Sequence, residues 1–166
     1  MEYVTGSGSV ELDGRLRVRR LTFVRFGNPG ELALNSKLTV VRLGRRASIK
    51  PTSAFEALMN GMAYEIRGML VAVHAKRDAE ACYIEGPVMA TMTVHWPRRY
   101  AKRSPAHLRG LPFGDVDACH KAMFDVAEKS KLVEDDGQII EEHTRKRFDK
   151  GRPRITIAYE RTDRPT

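Results

Sequence analysis

The sequence predicts a single compact α/β (α+β) domain in which a small mixed β-sheet packs against two main helices. Three stretches carry this expectation. Ala54 to Lys76 repeats apolar residues at helical spacing, Val88 to Trp96 alternates as a strand does, and Asp115 or Asp117 opens a second amphipathic helix.

The elements follow in chain order. Met1 to Gly14 contains Gly6, Ser7, Gly8 and Ser9 and reads as a flexible lead-in, so residues 1–14 are set outside the fold. Arg15 to Phe26 is rich in Leu, Val, Phe and Thr with partial alternation, and the turn residues Gly27, Asn28, Pro29 and Gly30 end it, which predicts a first strand. Leu38 to Leu43 is a short apolar run that reads as a strand or as part of a loop. Pro51, Thr52 and Ser53 supply starting chemistry for the first helix. Its stripe of Phe55, Leu58, Met59, Met62, Ile66, Met69, Leu70 and Val73 is the pattern of a buried face, with methionine as core filler.

After a turn at Asp78 to Glu80, Val88, Ala90, Met92, Val94 and Trp96 form the apolar side of a strand. Met89, Thr91, Thr93 and His95 form its other side. The strand runs into a basic connection with Arg98, Arg99, Tyr100, Lys102, Arg103, Pro105, His107 and Arg109. The second helix continues to about Lys131, Gly137 marks the turn after it, Arg154 to Tyr159 is the last strand, and residues 161–166 are a polar tail. The domain is therefore expected over residues 15–160.

The chain has 166 residues, 42% hydrophobic and 30% charged, enough for one core. Its net charge of +8 points to a polyanionic partner, nucleic acid first and a membrane surface second. No run approaches the roughly eighteen apolar residues of a membrane span, and no signal-peptide pattern opens the chain, so the expectation is a soluble, intracellular protein with no membrane partner. Cys82 and Cys119 form no CxxC pair and are expected to be reduced thiols; the histidines lack zinc-ligand spacing.

Charge is unevenly placed. Between Asp115 and Glu142 stand nine acidic residues against three lysines, within a chain that is otherwise strongly basic. A segment that repels phosphate on a phosphate-attracting surface is explained by a bound divalent cation, or, without function, by a solvated acidic helix. On a helix Asp117, Lys121, Phe124 and Glu128 share a face, with Asp125 beside it, while Cys119, Ala122, Met123 and Val126 face the core. Phe124 is then covered by a partner or by DNA, or else folds against its own domain. Asp115, Asp117 and one of Asp135 and Asp136 can converge as hard oxygen ligands suited to Mg²⁺. Lys121 can steady developing negative charge one turn after Asp117; the plainer alternative is an i,i+4 ion pair.

The sequence Asp115, Val116, Asp117, then Lys121, then Phe124 and Asp125, then Glu134, Asp135, Asp136, Gly137, Gln138 and Ile139 resembles the signature of RusA Holliday-junction resolvases. That pattern runs D-x-D-N, a lysine three residues on, F-D, and D-D-x-Q before an apolar residue. Ala118 stands where the pattern has Asn, and the connection from Trp96 to Asp115 is longer than in the compact family pattern. The resemblance implies a compact homodimeric α/β fold and structure-selective endonuclease activity on four-way DNA junctions, with paired nicks in recombination and repair. It implies Asp115, Asp117 and Asp136 as carboxylates for Mg²⁺, with Mn²⁺ as an alternative, Lys121 as the catalytic lysine, and supporting places for Asp125, Asp135 and Gln138. It also implies a cytoplasmic, nucleoid-associated protein of bacterial or phage origin.

Branched DNA is expected to meet Arg42, Arg45, Arg46, Arg98, Arg99, Lys102 and Arg103, with strong salt dependence. Trp96 and Tyr100 can stack on unpaired bases, although a core place suits Trp96 better. The rival readings are a branched-DNA-binding protein that has lost activity, with Ala118 as its supporting feature, and a metal-dependent flap or RNA nuclease. A Cys–His nucleophile at Cys119 and His120 is disfavoured, because adjacent helix residues point apart.

Overall fold

The structure is a computed structural model that describes residues 2–5, 8–27, 38–43, 46–51, 53–77, 83–97, 117–149 and 151–162. Side chains are described over 8–27, 53, 56–75, 83–96, 123–148 and 151–162.

Among the described residues, eight strands and two helices follow one another as β1 (Glu2–Thr5), β2 (Gly8–Leu12), β3 (Val18–Phe26), β4 (Leu38–Leu43), β5 (Arg46–Pro51), α1 (Ser53–Arg77), β6 (Val88–Pro97), α2 (Asp117–Lys129), β7 (Ile139–Asp149) and β8 (Arg154–Arg161). Six strands form one mixed sheet in the order β1-β2-β3-β8-β6-β7, and β4 pairs with β5 as a separate antiparallel ribbon. All neighbours in the large sheet are antiparallel except β6 and β7. A parallel pair needs a crossover, and α2 is that crossover. The α+β class, the mixed sheet and the two helices are as the sequence predicts.

One core joins the layers. Val88, Ala90, Met92, Val94 and Trp96 of β6 are buried, as their alternation predicts, together with Leu21 and Phe23 of β3 and Ile155, Ile157 and Tyr159 of β8. Against them pack Met59, Met62, Ile66, Met69, Leu70 and Val73 of α1 and Met123, Val126 and Ala127 of α2. Each fully buried side chain of this size contributes about 1.5–3 kcal/mol. Trp96 belongs to this core, the place favoured over stacking on bases, while Tyr100 lies outside the described residues. Arg25 of β3 and Glu65 of α1 add an ion pair at 2.6 Å across the layers.

One expectation is corrected. Residues 1–14 are not a free lead-in: β1 and β2 extend the sheet, and Val10 and Leu12 are in the core. Gly8 serves close packing, since a Cβ on it would fall 1.9 Å from the Thr22 carbonyl oxygen of β3. Asp13 then turns the chain. Its carboxylate accepts the Arg15 and Arg17 amides at 2.8 and 3.0 Å, and Arg161 pairs with it at 3.0 Å. Arg161 is thereby the end of β8 rather than the start of a tail, and Arg17 pairs with Glu85.

The structure also adds β7, which the sequence did not announce. Glu141, Glu142, His143, Arg145, Lys146 and Arg147 hide its alternation, because the strand stands at the sheet edge, where charge is tolerated on both sides. Its ends are anchored by Ile139 and Phe148, which pack on the core.

Candidate active site

The acidic window folds into α2, a tight turn and the start of β7. Met123, Val126 and Ala127 are the helix face that the core takes up. Below them the Tyr159 hydroxyl donates to the Met123 carbonyl at 2.7 Å. Burial pushes the Tyr159 phenol far above its ordinary pKa, so it stays a protonated donor. This pins the helix on which Asp117, Lys121 and Asp125 recur every four residues, the spacing of one face. Asp125 is half-buried, and Phe124 packs partly buried against the core of its own domain, the second of its two expected places. The side chains of Asp117 and Lys121, and all of Asp115, lie outside the described residues.

The end of α2 is sharper than Gly137 alone predicts. Lys131 takes a left-handed φ of 59°, and the Leu132 amide turns back to the Ala127 carbonyl at 3.0 Å. Buried Leu132 and Val133 hold this reversal, as does buried Ser130, whose hydroxyl donates to the same carbonyl at 2.9 Å. A left-handed conformation costs a non-glycine residue roughly 1–2 kcal/mol, which the two buried side chains offset.

Beyond it, Gln138 organises the turn. Its Oε1 accepts the Glu134 amide at 2.6 Å and the Asp135 amide at 3.3 Å, while its Nε2 donates to the carbonyls of Gly86 at 3.0 Å and Ile84 at 3.4 Å. Ile84 is in turn bound to the end of α2 through its amide and the Leu132 carbonyl at 2.8 Å. Asp135 caps the short 3₁₀ turn Asp136–Gln138, accepting the Gly137 amide at 2.7 Å. The two neighbouring aspartates therefore differ: the Asp135 carboxylate is occupied by the backbone, whereas the Asp136 carboxylate is exposed and has no partner among the described residues. This turn packs against α2.

Among the described residues no group of three or more His, Cys, Asp and Glu side chains forms a metal cage. Of the expected DNA contacts, Arg42 lies in β4 and Arg46 in β5, both without described side chains; Arg45, Arg98, Arg99, Lys102 and Arg103 lie outside the described residues. What sequence reasoning missed is a cavity of about 410 Å³ beside the turn, lined by Arg67, Tyr83, Lys131, Val133 and Glu134. Its residues come from three separate segments, and none carries a spacing signal.

Residues 59–160 match the family model of the endodeoxyribonuclease RusA, well over half of the chain. The chain belongs to the RusA family. RusA proteins are Holliday-junction endonucleases acting on branched DNA, and the match spans the whole acidic window, the basic connection after β6 and the strands β6, β7 and nearly all of β8. It begins inside α1, so β1 to β5 and their Arg42 and Arg46 stand before the RusA match, although β2 and β3 complete its core. No curated protein matches the chain. No helix among the described residues is long and apolar enough to cross a membrane.

Proposed function

We propose that this RusA-family chain resolves four-way DNA junctions by Mg²⁺-dependent phosphodiester hydrolysis, acting as a homodimer that places paired nicks in recombination and repair. The observation that carries the reading is Asp136: an exposed carboxylate, without a partner among the described residues, on a turn that the side chains of Asp135 and Gln138 hold in place. The donor set Asp115, Asp117 and Asp136 is hard oxygen only, and one open carboxylate fits an ion that keeps waters and a substrate phosphate in its shell. Mn²⁺ is the alternative cation. When bound, such a cation polarises the scissile phosphate and lowers the pKa of an attacking water.

The protein's own groups do the rest. The hydrogen-bond frame of Gln138 and Asp135 fixes Asp136, so little reorganisation accompanies reaction. Lys121, on α2 one turn after Asp117, steadies the charge that develops on the phosphate. Asp125 supports the same helix face. Arg42, Arg45, Arg46, Arg98, Arg99, Lys102 and Arg103 hold the phosphate backbone, which positions the junction and makes binding salt-dependent. A dimer supplies two such sites for two strands.

The test is a labelled synthetic four-way junction incubated with the purified protein, with and without Mg²⁺, beside duplex, single-strand and flap controls. Paired symmetric nicks that need both the cation and Asp136 are expected. Tight binding without cleavage under any metal would favour a binding protein, in line with Ala118 at the usual Asn position, and equal cutting of the flap would favour a broader nuclease.

A further inference from the structure

We infer that the cavity between α1 and the α2 turn is a subsite for one unstacked nucleotide of the DNA strand being cut. This rests on the nuclease reading and deepens it. Arg67 and Lys131, both exposed, stand on the walls of the cavity, and neither is paired with a carboxylate among the described residues. Two unpaired guanidinium and ammonium groups on one concave surface suit phosphate, and Arg adds the planar donor fork that a phosphate accepts in pairs. Half-buried Tyr83 offers an aromatic ring on which any base can stack, above a wall backed by buried Val133. The Glu134 carboxylate can accept from an exocyclic base amine.

Size and position narrow the occupant. About 410 Å³ is within the range of pockets that enclose small molecules, whereas a duplex could only lie across the mouth. Glu134 is two residues before Asp136, so their Cα atoms are at most about 7 Å apart. A phosphate presented to Asp136 therefore leaves the adjoining nucleotide of the same strand within reach of the cavity. The walls are also tied to the turn: Gln138 bonds the carbonyl of Ile84, next to Tyr83, and the Ile84 amide bonds Leu132, between Lys131 and Val133. Filling the cavity and presenting Asp136 are thus coupled through these two hydrogen bonds. Stacking is interrupted at a branch point, so a base there is drawn out of the helix at lower cost than within an arm, and occupancy of this subsite gives the protein a physical means of preferring branched over continuous DNA.

The experiment uses the full-length protein without divalent metal and a four-way junction carrying a fluorescent adenine analogue either at the branch or within an arm. The expected result is a fluorescence change on binding only for the branch position, lost in Tyr83→Leu and kept in Tyr83→Phe. Arg67→Ala and Lys131→Ala are each expected to weaken junction binding about tenfold and to lower the salt slope by about one phosphate contact. Variants that bind and signal like the unsubstituted protein, or an equal signal from the arm, would overturn the subsite. Adding Mg²⁺ to the same samples separates the two readings. Failure of the unsubstituted protein to cut, with the branch signal intact, sinks the nuclease and leaves the subsite. Normal cutting with unaltered variants does the reverse.

Discussion

Helix α2 and the turn that follows it are held by opposite means. The helix is held by apolar burial through Met123, Val126 and Ala127, with a single phenol beneath it. The turn has no buried residue between Asp136 and Gln138 and is held by hydrogen bonds among groups close to water. Burial is strong and unspecific in direction, so it sets where the helix lies. Hydrogen bonds contribute little net stability but fix orientation, so they set where a carboxylate points. Damage to the first should unfold the protein, and damage to the second should spare the fold and impair the chemistry.

Leu132→Ala is the harshest test of the first half. Loss of a fully buried side chain at the end of α2 is expected to cost about 2–5 kcal/mol in urea unfolding, with activity per folded molecule retained. Gln138→Ala should show the opposite profile. Cleavage is expected to fall about 10- to 100-fold, as for a residue that orients a metal ligand, while unfolding reports a loss of only about 1–2 kcal/mol. Equal effects of the two substitutions on stability would erase the distinction.

Tyr159→Phe removes one hydrogen bond from the helix and keeps the ring, so a cost of about 1 kcal/mol is expected by thermal or chemical unfolding. A larger cost would mean that α2 depends on polar anchoring as the turn does. The smallest effect concerns pH. The Arg17 amide above all, opposed by partial burial and helped by the Arg15 amide and the Arg161 guanidinium, holds the Asp13 carboxyl below its usual value. The unfolded chain therefore binds this proton more readily. Asp13's contribution is present above an unfolded pKa of about 3.9 and is lost as pH falls through its lower folded value. Asp13→Asn should flatten that part of the acid unfolding curve, and an unchanged curve would show that the hairpin turn has no electrostatic share in stability.

Legibility from sequence divides along the same line. Apolar periodicity exposed α1 and β6 nearly to the residue, because burial imposes its period on the chain. It exposed only part of the N-terminal hairpin, where Val10 and Leu12 are two apolar residues among glycines and serines and the decisive contact is the space Gly8 leaves for Thr22. Edge strand β7 was illegible because charges on both faces remove the period. The motif positions of Asp135 and Gln138 could be read, but the clamp that Gln138 makes could not: it depends on the carbonyls of Ile84 and Gly86, some fifty residues away in sequence. Arg67, Tyr83 and Lys131 had no signal at all, since a cavity built from three segments exists only after folding.

The most direct measurement compares Asp135→Asn with Asp136→Asn in nicking of a four-way junction in Mg²⁺. Asparagine caps a turn about as well as aspartate, so Asp135→Asn is expected to keep activity within about tenfold, whereas Asp136→Asn removes the open carboxylate beside that cap and should abolish nicking with no loss of stability. Activity that survives Asp136→Asn but disappears with Asp135→Asn would contradict the division of labour on which this account rests.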